Sequence, residues 1–379
     1  MPDRLPSIYD SARLGKDEIG SFVPYLLEQA KESRKGFERR WYDNNFFDDG
    51  FHFRYFSRAE NKVVDLASKS TVFNPLRAIP KASRQVRGLA NLLLSPDYVP
   101  IVYPRRVSPN DFPPIPQADP ETGQEILMPD PRYQQEVEQA KKEARLRGFW
   151  LEEEFGEDGQ NEFDKLSFMA LLAAKHGISF QQIWPSKGRI RTKVYDAFEI
   201  YLTGSLTELE DCPFLIKANP RSIAEIRADR KFPASETAKL TPDNRHASSD
   251  IKEAYMKARY GGIKDPESAA QIIQQECFIK EYINKDNRKR IDPAIIGDRE
   301  EGDPIIRQTF VAGGITLLDN YLDMDEYPFV EYRYEPGPLY QVPPIERFIP
   351  QNKSLDLIAS RIERYTHSMV SGKWLKRAG

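Results

Sequence analysis

Gly313-Gly314 stands between two short β-prone runs, Ile306-Arg307-Gln308-Thr309-Phe310-Val311-Ala312 and Ile315-Thr316-Leu317-Leu318. Glycine takes φ > 0 without a Cβ clash, and a tight two-residue hairpin needs that conformation at its turn. The pair therefore predicts a hairpin. Downstream comes a Pro/aromatic segment, Tyr327 to Tyr334, and then Pro336, Pro338, Pro343 and Pro344. A long helix is expected from near Asn352. Its apolar residues Leu355, Ile358, Ile362, Tyr365 and Met369 are spaced 3, 4, 3 and 4, which draws one narrow stripe along a helix. The stripe is expected either to pack against a neighbour or to be the inner face of an ordinary core helix.

Upstream, the pattern is largely helical. Residues 1–20 read as a flexible tail. Ser21 to about Asn44 is amphipathic, with Phe22, Tyr25, Leu26, Ala30, Phe37 and Trp41 on one side and Lys31, Arg34, Lys35, Arg39 and Arg40 on the rest. These cations either form a solvated face or contact nucleic acid or a partner. An aromatic and acidic loop, Phe46 to Arg54, follows. Ala78 to Leu94 predicts another helix, with Lys81, Arg84 and Arg87 in a row and Val86, Leu89 and Leu93 toward a core. Prolines crowd 104–131, which reads as an extended connector with a turn at Asp119 to Gly123.

Tyr133 to Phe155 predicts a highly charged helix, and Glu162 to Lys175 a more apolar one that stops at Gly177. Ile178 to Ile183 and Ile190 to Tyr195 flank a turn through Trp184-Pro185. Ala197 to Leu202 and Cys212 to Ala218 continue as strands, and a short helix is expected within Pro220 to Lys231. Residues 234–269 are polar and weakly patterned, and read as an insertion. Cys277 to Tyr282 predicts a strand, followed by a basic loop carrying Lys285, Arg288, Lys289 and Arg290. That loop is either a partner-docking tip or a solvated one.

A chain of 379 residues can build two or three cores. Its net charge of −3 provides no general attraction to nucleic acid, so any DNA contact must be local. The two cysteines, Cys212 and Cys277, lack metal-ligand spacing and suit a reducing interior. The strongest apolar run, Phe168 to Ala174, is too short to span a bilayer, and Met1 to Arg13 has no apolar core segment. The expectation is a soluble chain with no membrane partner.

Catalytic signatures are missing. The glycines form neither GxxxxGK[ST] nor GxGxxG, the four histidines build no HExxH, and no serine sits in a GxSxG elbow. The acids Glu152-Glu153-Glu154 and Asp323, Asp325, Glu326 lack the glycine-bearing calcium-loop pattern. No catalytic residue, cofactor or metal is assigned.

The order of segments, rather than any one motif, resembles the portal proteins of tailed bacteriophages, podovirus-like type, over Leu26 to Val370. His176-Gly177, Trp184-Pro185 and Ser222-Ile223-Ala224-Glu225-Ile226 look like the portal wing, Pro328-Phe329-Val330 looks like the clip, and the last helix looks like the stem. The fold this implies is α+β: a wing-like domain over 21–265, a clip-like β domain over 266–340, and a stem helix over 341–379. The resemblance implies a closed, dodecameric ring through which double-stranded DNA enters and leaves a capsid. It places the protein in the virion at the capsid vertex, and in the host cytoplasm during assembly. Implied partners are the terminase large subunit, head-completion and tail adaptors, and the major capsid or scaffolding protein. Lys353, Arg361, Arg364 and Lys373 become candidates for transient DNA contact, and the basic loop becomes a docking site for motor or adaptor. Family members continue beyond the first stem helix, so the chain is expected to be a fragment, a truncated product or a reduced form. A metal-dependent nuclease and a non-channel adaptor are the competing expectations.

Overall fold

The computed structural model describes residues 8–57, 62–66, 76–93, 102–108, 111–118, 125–128, 130–156, 159–186, 188–203, 207–242 and 271–370. Over these residues the fold is α+β. In order run α1 (Lys16–Asp48), β1 (Arg54–Ser57), β2 (Lys62–Asp65), α2 (Lys81–Leu93), β3 (Ile115–Ala118), β4 (Glu125–Met128), α3 (Pro131–Phe155) and α4 (Glu162–His176). They are followed by β5 (Ile178–Ser186), β6 (Arg189–Asp196), β7 (Ile200–Tyr201), β8 (Phe214–Ser222), α5 (Ile223–Ala228) and α6 (Ala234–Thr237). The last elements are β9 (Gln271–Tyr282), α7 (Pro293–Ile296), β10 (Pro304–Ala312), β11 (Ile315–Leu322), β12 (Phe329–Arg333) and α8 (Ile345–Val370).

Two compact units emerge. The first holds Met1–Leu93, Phe168–Ile183 and Lys193–Gly379, and the second Leu94–Ser167 and Trp184–Thr192. Strands from either side of the expected boundary at 266 pair with each other: β8 lies against β9, Phe214 opposite Ile279 through Ser222 opposite Gln271. The strands expected for a clip and those expected for a wing thus share one five-stranded antiparallel sheet, in the order β11-β10-β9-β8-β7. β12 likewise pairs with β5, Phe329 opposite Gln182. An edge of unpaired amides is stabilised wherever it finds a partner strand, whatever the sequence separation.

Alternation along the strands sends neighbouring side chains to opposite faces. Phe214, Ile216, Cys277, Ile279 and Val311 face the apolar side of α1, where Ile19, Phe22, Val23, Leu26 and Leu27 lie. Leu215, Phe278 and Ile306 face the other way, against Ile178, Phe180 and Phe329. The hairpin forms as expected: Gly313 and Gly314 have φ of 57° and 78°, and Ala312 stands opposite Ile315. Gly20 of α1 lies so close to that turn that a Cβ would meet the Gly314 carbonyl at 2.7 Å.

Part of the expected flexible tail is pinned. Ile8–Arg13 forms a 3-10 turn, and the buried Arg307 of β10 donates to the carbonyls of Ser11 (2.8 Å) and Leu14 (3.0 Å). Asp319 and Glu281 flank the same guanidinium. Burial alone would weaken its charge, but the two carboxylates hold its pKa above the ordinary value. Arg34 departs from the expected solvated face too. It is buried and donates to the carbonyls of Ala197, Phe198 and Ile200, with its guanidinium 3.5 Å from the Tyr201 ring centre. Ala197 and Phe198 lie in the turn before β7, and a buried carbonyl needs a donor.

The second unit contains α3, the β3–β4 pair and the tip of the β5–β6 hairpin. Asp130 caps α3 by accepting the Arg132 amide, with Pro131 at the first helical position. Thr192 ties the hairpin to the start of α4 by donating to Glu162 (2.7 Å) and accepting from Lys165 (2.6 Å). The expected turn at 119–123 lies outside the described residues, as do 243–269 of the expected insertion.

Candidate functional site

The helix α8 begins at Ile345, earlier than expected near Asn352, with Pro343-Pro344 just before it. Pro350 lies inside the helix, which costs one backbone hydrogen bond. Its first turn buries Ile345 beside Val86 and Ala174, and from Asn352 onward the face this helix buries is polar. Asn352, Asp356 and Ser360, at i, i+4 and i+8, are all buried. Asn352 Oδ1 accepts the amides of Lys81 (3.0 Å) and Ala82 (2.9 Å), the first two of α2. Asp356 Oδ1 accepts from Ile79 N (2.7 Å), and Ser360 Oγ accepts from Arg77 N (2.8 Å). The residue before α2 is Pro80, which has no side-chain acceptor. Lys81 N also reaches the Ile79 carbonyl at 2.7 Å, and three side chains of α8 supply the acceptors for the other amides of this segment.

His52 completes the cluster. Its Nδ1 is 2.7 Å from Asp356 Oδ2, and its ring stacks on Phe47 with centroids 4.0 Å apart. The trio His52, Asp356 and Ser360 brings together residue types used in nucleophilic catalysis, but the Ser360 hydroxyl is committed to backbone: it donates to the Asp356 carbonyl at 2.7 Å while accepting from Arg77 N. The geometry is that of a clamp between elements. A cleft of about 410 Å³ borders it, lined by Phe53, Tyr55, Leu66, Leu76, Lys353 and Leu357 among others.

The expected stripe faces outward. Leu355 is 42% exposed, Ile358 52%, Ile362 61%, Tyr365 63% and Met369 64%. At 100° per residue the stripe lies about 140° round the helix from the polar seam. It is therefore not the inner face of a core helix. Of the four DNA-contact candidates, Lys353, Arg361 and Arg364 are exposed and have no ion-pair partner among the described residues, and Lys373 lies outside them. Lys353 and Arg364 share a third flank, whereas Arg361 sits between that flank and the stripe.

In the basic loop, Lys285, Arg288, Lys289 and Arg290 are all exposed. Arg290 donates to the Leu14 carbonyl at 2.5 Å, and Lys285, Arg288 and Lys289 have no ion-pair partner among the described residues. The loop is held by a small cluster of Ile283, Ile291, Ile305 and Tyr321. The acids Asp323 and Asp325 are bridged by Arg299 at 2.6 and 2.9 Å. On α2, Lys81, Arg84 and Arg87 are exposed in a row, and Val86 is buried as expected.

Sequence reasoning missed the seam of Asn352, Asp356 and Ser360. Its signal was available as a polar i, i+4, i+8 row opposite an apolar stripe. Among the described residues no group of three or more His, Cys, Asp or Glu side chains is arranged to hold a metal ion. Nor is any described helix long and apolar enough to cross a membrane. No protein-family model matches the sequence, and no curated protein is similar to it.

Proposed function

We propose that the chain is the subunit of a portal-like ring at a phage capsid vertex, through which double-stranded DNA is packaged and ejected. The observation that carries this reading is the outward apolar stripe of α8. A row of five apolar residues in 3-4 spacing, anchored on its opposite side by a buried polar seam, is shaped to pack on another helix surface. A ring of identical subunits closes through such heterologous contacts. The unpaired Lys353 and Arg364 on the next flank suit brief, sequence-independent contact with phosphates, which sliding DNA requires. Lys285, Arg288 and Lys289 suit docking of the terminase large subunit, and of head-tail adaptors afterward. Capsid or scaffolding protein would meet the outer rim.

The test is particle mass by light scattering after size exclusion, followed by negative-stain imaging. Rings of about a dozen copies with a hole wide enough for a duplex are expected. A monomer at high concentration overturns the reading.

A further inference from the structure

We propose that the α8 stripe docks at one particular place on a second copy: the exposed Leu146, Phe149 and Trp150 of α3. The inference rests on the ring reading and specifies its interface. α3 buries only Ala140 and Ala144. Leu146 and Phe149 are each 69% exposed and Trp150 is 42% exposed. Their i, i+3, i+4 spacing puts all three on one face, and three large apolar side chains together on a helix surface mark an interface.

Two features choose the partner. First, the molecule carries two different outward apolar helix faces. Pairing one with the other produces a head-to-tail contact that can propagate and close, whereas pairing the stripe with its own copy produces a two-fold dimer that stops. Second, the charges match. Glu153 continues the α3 face one turn beyond Phe149 and Trp150, and it is exposed. Arg361 borders the α8 stripe, three residues after Ile358 and four before Tyr365, and it too is exposed. Neither has an ion-pair partner among the described residues. Docking the apolar faces brings the carboxylate and the guanidinium together at the edge, where such a pair sets register and direction. Arg361 is thereby assigned to the subunit interface, and Lys353 and Arg364 remain on the open flank.

The experiment uses the full chain with Glu153→Cys and Arg361→Cys together, oxidised mildly and run on a non-reducing gel. Cys212 and Cys277 are buried and do not interfere. A ladder of covalent multimers is expected from the double variant, with neither single variant cross-linking. A covalent dimer from Arg361→Cys alone would show the stripe pairing with itself and overturn the inference. Light scattering on the same samples separates the two proposals: multimers without a ladder overturn this pairing alone, and monomers overturn the ring as well. In the chain without added cysteines, Glu153→Arg should weaken association about fivefold or more. Adding Arg361→Glu should restore it, and failure of that rescue counts against the pair.

Discussion

Asn352 Oδ1 accepts the backbone amide of Ala82 at 2.9 Å, so a side chain on the last described helix caps the first turn of a helix 270 residues earlier. Asp356 and Ser360 repeat the arrangement toward Ile79 and Arg77. This seam sets the rotation of α8 about its own axis and thereby turns the apolar stripe outward.

Asn352→Ala should therefore destabilise the protein by about 1–2 kcal/mol, since it removes a cap and the side-chain acceptor of the Ala82 amide. Urea unfolding measures it, with Lys353→Ala as the exposed neighbour expected to change stability by less than ~0.5 kcal/mol. Equal effects at the two positions would mean that the seam is not a clamp.

Arg307→Met should cost about 3–5 kcal/mol, because Glu281 and Asp319 would lose their shared counter-charge. The same substitution removes one of the donors held by each of the Ser11 and Leu14 carbonyls, leaving Leu14 N on the first and Arg290 on the second. Limited proteolysis should then cut near Leu14 well before the rest of the chain. Unchanged cleavage would show that other contacts hold this segment.

Burial pushes the phenols of Tyr195 and Tyr340 up to about 12. An unfolded tyrosine titrates near about 10. A raised folded-state pKa means stability that is complete below the unfolded value and is lost as pH climbs through the folded one. Stability should fall between about pH 10 and 12, with tyrosinate absorbance and loss of helical signal rising together. Replacing Tyr195 and Tyr340 with Phe should flatten that fall, and an unchanged profile would contradict its assignment to these two phenols.

Replacing Ile358 and Ile362 with Glu should leave the monomer's stability within ~0.5 kcal/mol, because both side chains face solvent in the single chain. Self-association should be abolished by burying two charges at the contact. Sedimentation velocity reads the second effect and thermal unfolding the first. A large loss of stability without a change in mass would place the stripe inside the fold.

Local chemistry was legible in the residues. The hairpin at Gly313-Gly314 follows from glycine's access to φ > 0, and the existence of most helices follows from apolar spacing. The stripe of α8 was legible as well, down to each residue. Which way it faces was not. Periodicity ranks faces by hydrophobicity, and here the buried face past Ile345 is Asn352, Asp356 and Ser360, which accept the amides of Arg77, Ile79, Lys81 and Ala82. The burial of Arg34 and Arg307 was hidden for the same reason: each cation is inside because carbonyls, or carboxylates, wait there. The joining of β8 to β9 and of β12 to β5 was also beyond a sequence reading, since alternation marks a strand without naming its neighbour. By itself, then, the sequence determined the turns, the helices and the one apolar row. The tertiary structure decided partners and burial, because hydrogen-bond satisfaction is a property of groups brought together from distant parts of the chain.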